Sequence, residues 1–105
     1  MKLVAVTACA AGIAHTYMTA ESITQLCKKN GIQAKVETQG CMGPENVLSA
    51  SDIKTADAIV ICSQIAVLNG ERFNGYEDKI VSLEPSKVLS NTEYVLKSLK
   101  EKGLM

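Results

Sequence analysis

The chain predicts an α/β fold, a doubly wound, four-stranded parallel sheet with helices on both faces. Two observations carry that expectation. Apolar runs of strand length, such as Leu3–Ala8 and Ala58–Cys62, alternate with segments of helical period along the sequence, and such alternation marks parallel sheets covered on both sides. The chain is also short, 105 residues with 47% hydrophobic residues and no tryptophan, which fits one domain around a small aliphatic core.

Residues 2–8, rich in Val, Ala and Leu, predict a buried strand. From Ala14 to Asn30 the apolar positions Ala14, Tyr17, Met18, Ile23, Leu26 and Cys27 recur at helical spacing, and the stripe Met18, Ile23, Leu26 is expected in the core. Asn30-Gly31 closes that helix, because both residues tolerate the left-handed cap conformation. Ile32 to Thr38 alternates, with Ile32, Ala34 and Val36 set against Gln33, Lys35 and Glu37. That predicts a strand with a wetter face, near a sheet edge. Gln39-Gly40-Cys41-Met42-Gly43-Pro44 predicts a loop by its glycines and proline.

Ser51 to Ala56 predicts a short helical turn, and Ala58–Cys62, the most apolar stretch, a central strand. Residues 69–78 are polar and predict an irregular connection, and Lys79–Leu83 a fourth strand. Ser90-x-x-Glu93 has the form of a capping box and predicts a last helix running to Lys102. The Lys97, Lys100, Glu101 and Lys102 cluster is expected on its solvated face. The resulting architecture is a Rossmann-like three-layer sandwich. In such sheets ligands bind at the carboxyl ends of the strands, where the strand order reverses. The segments after Ala8 and after Thr38 both belong to that edge.

Composition excludes several classes. Eleven basic and eleven acidic residues give zero net charge, so no bulk attraction to nucleic acid or anionic membrane follows. No apolar run approaches the ~18 residues of a membrane span, and no signal-peptide pattern opens the chain. A cytoplasmic protein with reduced thiols is expected. The four cysteines, Cys9, Cys27, Cys41 and Cys62, form no C-x-x-C and match no zinc spacing. No metal and no cofactor is expected. Cys27 and Cys62 fall within a helix and at a strand end and read as buried small hydrophobes. Cys9 and Cys41 fall in loops.

Cys9 stands where the first strand hands over to the first helix, and Ala10-Ala11-Gly12-Ile13-Ala14-His15-Thr16 follows it. Small side chains let such a turn aim backbone N–H groups inward as an anion nest, and the helix N-terminus adds a partial positive charge of ~0.5. A thiol in that field is biased toward thiolate, and the same N–H groups suit phosphate oxygens. Thiolate attack on a phosphoryl group is the chemistry this favours. Cysteine phosphatases use C-x5-R followed by Ser or Thr; here the frame is Cys9-x5-His15-Thr16. An imidazole cannot replace the permanently charged, bidentate guanidinium, and no Asp-Pro general-acid loop is present. The turn is better suited to carrying a phosphoryl group than to hydrolysing it.

The motifs Thr7-Ala8-Cys9-x-x-Gly12-Ile13-Ala14-His15-Thr16-Tyr17-Met18, Val36-Glu37-Thr38-Gln39-Gly40, Asp52-Ile53-x-x-Ala56-Asp57 and Glu71-Arg72-Phe73 occur in order over nearly the whole chain, to Ser86. Together they resemble the fructose-type IIB component of the bacterial phosphoenolpyruvate-dependent sugar phosphotransferase system. The resemblance implies the doubly wound fold and a single IIB domain over residues 1–105. It implies that Cys9 is phosphorylated by a phosphohistidine of a IIA partner and passes the phosphoryl group to a sugar, fructose by default, on a membrane IIC partner. A cytoplasmic location, peripheral to the membrane through IIC, goes with it. With no IIA or IIC segment in the sequence, the chain reads as a separate subunit or a piece of a longer one. It departs from the family pattern at Ala10-Ala11, where Pro-Thr is usual, at Cys41, where Ser, Ala or Thr is usual, and at Gln64, where Asp is frequent.

Several residues keep two readings. His15 either bonds the phosphoryl group and tunes Cys9, or caps and packs locally. Thr16 either donates to phosphate or caps the first turn. Gln39, Gly40 and Cys41 either wall the site or only turn the chain. Arg72 either meets a partner or phosphate, or is a surface charge. Three other functions stand as alternatives: a small cysteine phosphatase; a thiol redox protein pairing Cys9 with Cys41, which requires their alpha carbons within ~7 Å; and a non-catalytic interaction module, which leaves the phosphate-suited turn unexplained.

Overall fold

The computed structural model describes residues 1–8, 14–40, 43–63 and 65–105; at Ala14 and His15 the description covers the backbone alone. Its strands are β1 (Lys2–Ala8), β2 (Gln33–Gly40), β3 (Gly43–Glu45), β4 (Ala58–Ser63) and β5 (Ile80–Leu83). Its helices are α1 (Ala14–Lys29), α2 (Ala50–Thr55), α3 (Pro85–Ser90) and α4 (Tyr94–Glu101), with 3-10 turns at Gly70–Phe73 and Glu77–Lys79. The sheet order is β3-β2-β1-β4-β5. β2, β1, β4 and β5 run parallel, as the alternation of strands and helices predicts.

The fifth strand is an addition to that expectation. β2 runs on to Gly40 and the chain folds back as β3, antiparallel, pairing Gln39 with Pro44 and Gly40 with Gly43. Gly43 has φ +88°, a conformation that costs a residue without Cβ nothing. Pro44 cannot donate a ladder bond, which is tolerable because β3 is the edge.

Side chains alternate across β1 and so feed two cores. Leu3 and Ala5 pack with Ile23, Leu26 and Cys27 of α1, Val88 of α3 and Leu99 of α4. Val4 and Val6 pack on the other face with Leu48, Ile53 of α2 and Phe73. Phe73 explains why the polar 69–78 stretch is structured: it anchors the 70–73 turn into the second core at 5% exposure. The helix α1 ends as Asn30-Gly31 predicts. Gly31 has φ +69°, and Ile32 N–H reaches the Cys27 carbonyl at 2.8 Å, the double-bonded left-handed cap.

Three expectations change. Met18 is 54% exposed and not in the core. The buried face of α1 carries Thr16, Thr19, Ala20, Ile23, Leu26 and Cys27, and Met18 lies about 200° around the helix from both Thr16 and Ala20. The Ser90-x-x-Glu93 box does not form. Ser90 is the last residue of α3 and its hydroxyl donates to the Lys87 carbonyl, while Glu93 makes no capping bond at the start of α4. A helix over 85–90, opened by Pro85 at its first position, intervenes. Among the described residues a capping box forms at Ser49 with Asp52: Asp52 N–H donates to Ser49 Oγ (3.1 Å) and Ser49 N–H to Asp52 Oδ2 (2.9 Å). Lastly, Glu37 is not on a wet face. It is 1% exposed, because the β3–α2 connection and the 70–73 turn cover that end of β2.

Candidate functional site

The carboxyl edge of the sheet gathers described residues of three of the four sequence motifs; the fourth, Asp52–Asp57, runs to the amino end of β4, where Asp57 Oδ2 accepts from Lys2 N–H at 2.8 Å. The chain leaves β1 toward β2 and leaves β4 toward β5, in opposite directions along the sheet, so the switch point lies between the ends of β1 and β4. Ala8, the last residue of β1, pairs with Gln39 on one side and Ser63 on the other. Cys9 is the next residue in sequence. Cys9, Ala10, Ala11, Gly12, Ile13 and Cys41 lie outside the described residues, as do the side chains of Ala14 and His15. The redox pairing of Cys9 with Cys41 falls outside them as well.

The helix side of the edge is fixed by side chain to backbone bonding. Thr7, fully buried at the end of β1, donates its hydroxyl to the Thr16 carbonyl in the first turn of α1 at 3.0 Å. Thr16 itself is 1% exposed. The first turn of α1 carries no acidic residue, so no carboxylate of that turn offsets the positive end of the helix dipole.

Across the sheet, on the face of α2, stands a polar network. Glu37 accepts four hydrogen bonds: from Arg72 Nη1 and Nη2, each at 2.7 Å, from Gln39 Nε2 at 2.7 Å and from Leu48 N–H at 2.8 Å. Gln39 Oε1 accepts from Leu68 N–H at 2.8 Å, and Nε2 also donates to the Leu68 carbonyl at 3.2 Å. Arg72 further donates to the carbonyls of Leu48 and Leu68, and its guanidinium stacks 4.9 Å over the Phe73 ring. Burial pushes the Glu37 carboxyl up, but the Arg72 fork, the Gln39 amide and the Leu48 N–H outweigh burial and hold it below the ordinary carboxylate value.

The network engages two residues whose readings were open. Arg72 is no free surface charge, and Glu37 holds both terminal nitrogens of its fork. Gln39 is 9% exposed and spends its amide on Glu37 and Leu68. Sequence reasoning placed Glu37 within a motif but gave it no role, and it missed the pairing with Arg72. The available signal was an acid and an amide at a strand end, with an arginine beside the one phenylalanine. Cys27 and Cys62 are buried as expected, and burial pushes their thiols up to about 11 and about 12. An open groove of about 760 Å³, lined among others by Met18, Gln25, Asn91 and Glu93, lies along the outer side of α1, away from the strand ends.

The family model described as "PTS system, Lactose/Cellobiose specific IIB subunit" matches residues 4–98. The chain belongs to the IIB family of the phosphotransferase system. It is similar to "PTS system fructose-like EIIB component 2" of Escherichia coli (strain K12), 38% identical over 99 residues that cover 94% of this chain and 92% of the relative. A solved structure, "Crystal Structure of Predicted Fructose Specific IIB from Escherichia Coli", is 36% identical with a TM-score of 0.88, covering 96% of this chain and 88% of that one. The "Fructose-like PTS system EIIBC component" of Escherichia coli (strain K12) is 36% identical over 94% of this chain, which spans 20% of that longer protein. The family model and these relatives name different sugars and agree on the IIB unit. No helix among the described residues is long and apolar enough to cross a membrane.

Proposed function

We propose that this IIB chain carries a phosphoryl group on Cys9. The single observation behind the reading is family membership together with the position of Cys9, the residue after Ala8 at the switch point of the sheet. The Sγ thiolate attacks the phosphorus of a IIA phosphohistidine whose other ring nitrogen carries a proton; the N–P bond breaks with its electron pair left on nitrogen, an S–P bond forms, and the histidine leaves as the neutral imidazole. In the second step a sugar hydroxyl attacks, the S–P bond breaks, the hydroxyl proton is released, and the thiolate returns. Backbone N–H groups of Ala10 to Ala14, the N-terminus of α1, and the His15 and Thr16 side chains stabilise the phosphoryl oxygens. Their charge spreads in the transition state, where fixed donors contribute most. Fructose is the sugar of first choice, following the relatives' names.

Residues 1–105 act as one fructose-type IIB unit. The partners are a phosphorylated IIA protein and a membrane IIC permease, to which the chain is peripheral on the cytoplasmic side. The EIIBC relative supports the second of these, because there the same unit is part of one chain with that name. Family membership favours neither a phosphatase nor a redox protein. The test is transfer from a phosphorylated IIA partner to sugar in the presence of IIC membranes. Cys9→Ser is expected to abolish it; transfer at the normal rate in that variant refutes the reading.

A further inference from the structure

The Glu37–Arg72 network holds one segment of chain in a place that matters for the proposed transfer. β1 lies between β2 and β4. Ser63 pairs with Ala8 on the β4 side, yet Leu68 is bonded through both its N–H and its carbonyl to Gln39, the partner of Ala8 on the β2 side. The axes of β2 and β4 are about 10 Å apart, a distance that the residues from Ser63 to Leu68 span easily. Leu68 therefore lies on the other side of β1 from Ser63, at the end of that strand.

Alternation along β2 sets the face. Val36 packs in the α1 core, so Glu37 points to the opposite side, where Leu48 and the 70–73 turn meet it; Gln39 shares its parity. The end of β1 thus has α1 on one face and the 65–69 segment on the other. Apolar packing holds that segment at Val67, which lies against the second core; the ties at its exposed residues are polar. Ile65 and Leu68 are 48% and 56% exposed. The ties are the Gln39 amide to Leu68 and the Arg72 guanidinium to the Leu68 carbonyl, and Glu37 orients both groups.

We infer that Arg72 is a positioning residue for phosphoryl transfer: through Glu37 and Gln39 it fixes the 65–69 segment as the wall of the site opposite α1. This rests on Cys9 being the phosphoryl acceptor. Arg72 does not act as a phosphate ligand, because its fork is held by Glu37. Its effect is geometric, and displacement of a site wall by about 1 Å costs up to about 100-fold in rate.

The experiment compares wild type, Arg72→Gln, Arg72→Lys, Gln39→Leu and Val88→Ala. Each is phosphorylated by a phosphorylated IIA partner over a range of chain concentrations, with the folded fraction measured in parallel. Val88, a buried residue of α3 in the α1 core, is the control for destabilisation alone. Per folded molecule, Arg72→Gln and Gln39→Leu are expected to lose about 10- to 100-fold in maximal rate, with half-saturation little changed. Arg72→Lys recovers part of the loss, and Val88→Ala keeps the wild-type rate. Amide exchange at Leu68 accelerates in Arg72→Gln but not in Val88→Ala, whereas that of Leu3 accelerates in both with the loss of global stability. If Arg72→Gln does not fold, Gln39→Leu, which leaves the ion pair intact, carries the same test. Wild-type rates per folded molecule in Arg72→Gln or Gln39→Leu overturn this inference alone. A wild type that takes no phosphate on Cys9 overturns the reading of Cys9 and this inference with it.

Discussion

The two faces of the sheet are held together differently. Under α1, α3 and α4 the core is aliphatic, with Leu3, Ile23, Val60, Val88 and Leu99 all fully buried. Under α2 the apolar cluster is smaller, and a buried carboxylate bonded to an arginine and an amide completes it at the functional edge. Apolar packing is non-directional and tolerates small shifts. A bidentate ion pair fixes geometry, and its Coulomb gain is largely offset by the desolvation of two charges. The first face therefore supplies stability, and the second supplies position at the edge where we place the chemistry.

Mutation of each face separates these contributions, and the ion pair gives the largest expected effect. Removing one member leaves the other charge buried and unpaired, so Arg72→Gln is expected to cost about 3–5 kcal/mol. Leu99→Ala, which opens a cavity in the aliphatic core, is expected to cost about 3 kcal/mol. Urea denaturation measures both. The transfer rate per folded molecule is expected to fall in the first and hold in the second. Equal rates in the two variants break the comparison.

Acid sharpens it next. The Glu37 carboxyl titrates lower in the folded chain than in the unfolded one. Its contribution is therefore fully present above its unfolded value of about 4.3 and is lost as pH falls through the lower folded value. The stability gap between wild type and Glu37→Gln should be constant from neutral pH down to about 4.3 and narrow from there through the folded value. A gap that stays constant through the acid range refutes the ionised pair. The smallest effect belongs to α1. Met18, on its outer side, should tolerate Met18→Ala within about 0.5 kcal/mol by thermal melting; a loss comparable to a core truncation contradicts the phase of the helix.

The two faces also differed in how legible they were. β1, β4 and the span of α1 follow from apolar runs and helical period, because each is a local pattern along the chain. The Gly31 cap was legible for the same reason. Met18 misled because the window from Ala14 to Cys27 admits more than one apolar stripe, and only the sheet beneath selects the one through Ala20 and Ile23. The last helix misled because Ser90-x-x-Glu93 matches the capping pattern while Pro85 is the stronger start signal. β3 was hidden by Gly43 and Pro44, which read as loop and are compatible with a three-residue edge strand.

The network was the least legible part. Glu37 and Arg72 are 35 residues apart, so no periodicity links them. Alternation along β2 even points the wrong way, assigning Glu37 to solvent. The resemblance did place Glu37-Thr38-Gln39-Gly40 and Glu71-Arg72-Phe73 among its motifs, without a reason for their company. Direct bonding between the two motifs supplies that reason.

The central claim is that Cys9 accepts the phosphoryl group, and peptide mapping by mass spectrometry tests it most directly. The chain is incubated with phosphoenolpyruvate, the general phosphotransfer proteins and a IIA partner, then digested under conditions that keep thiophosphate bonds. The mass of one phosphoryl group on Cys9, absent from Cys9→Ser, is the predicted result. A phosphoryl group that persists in Cys9→Ser, for example on His15, the sole histidine of the chain, contradicts it.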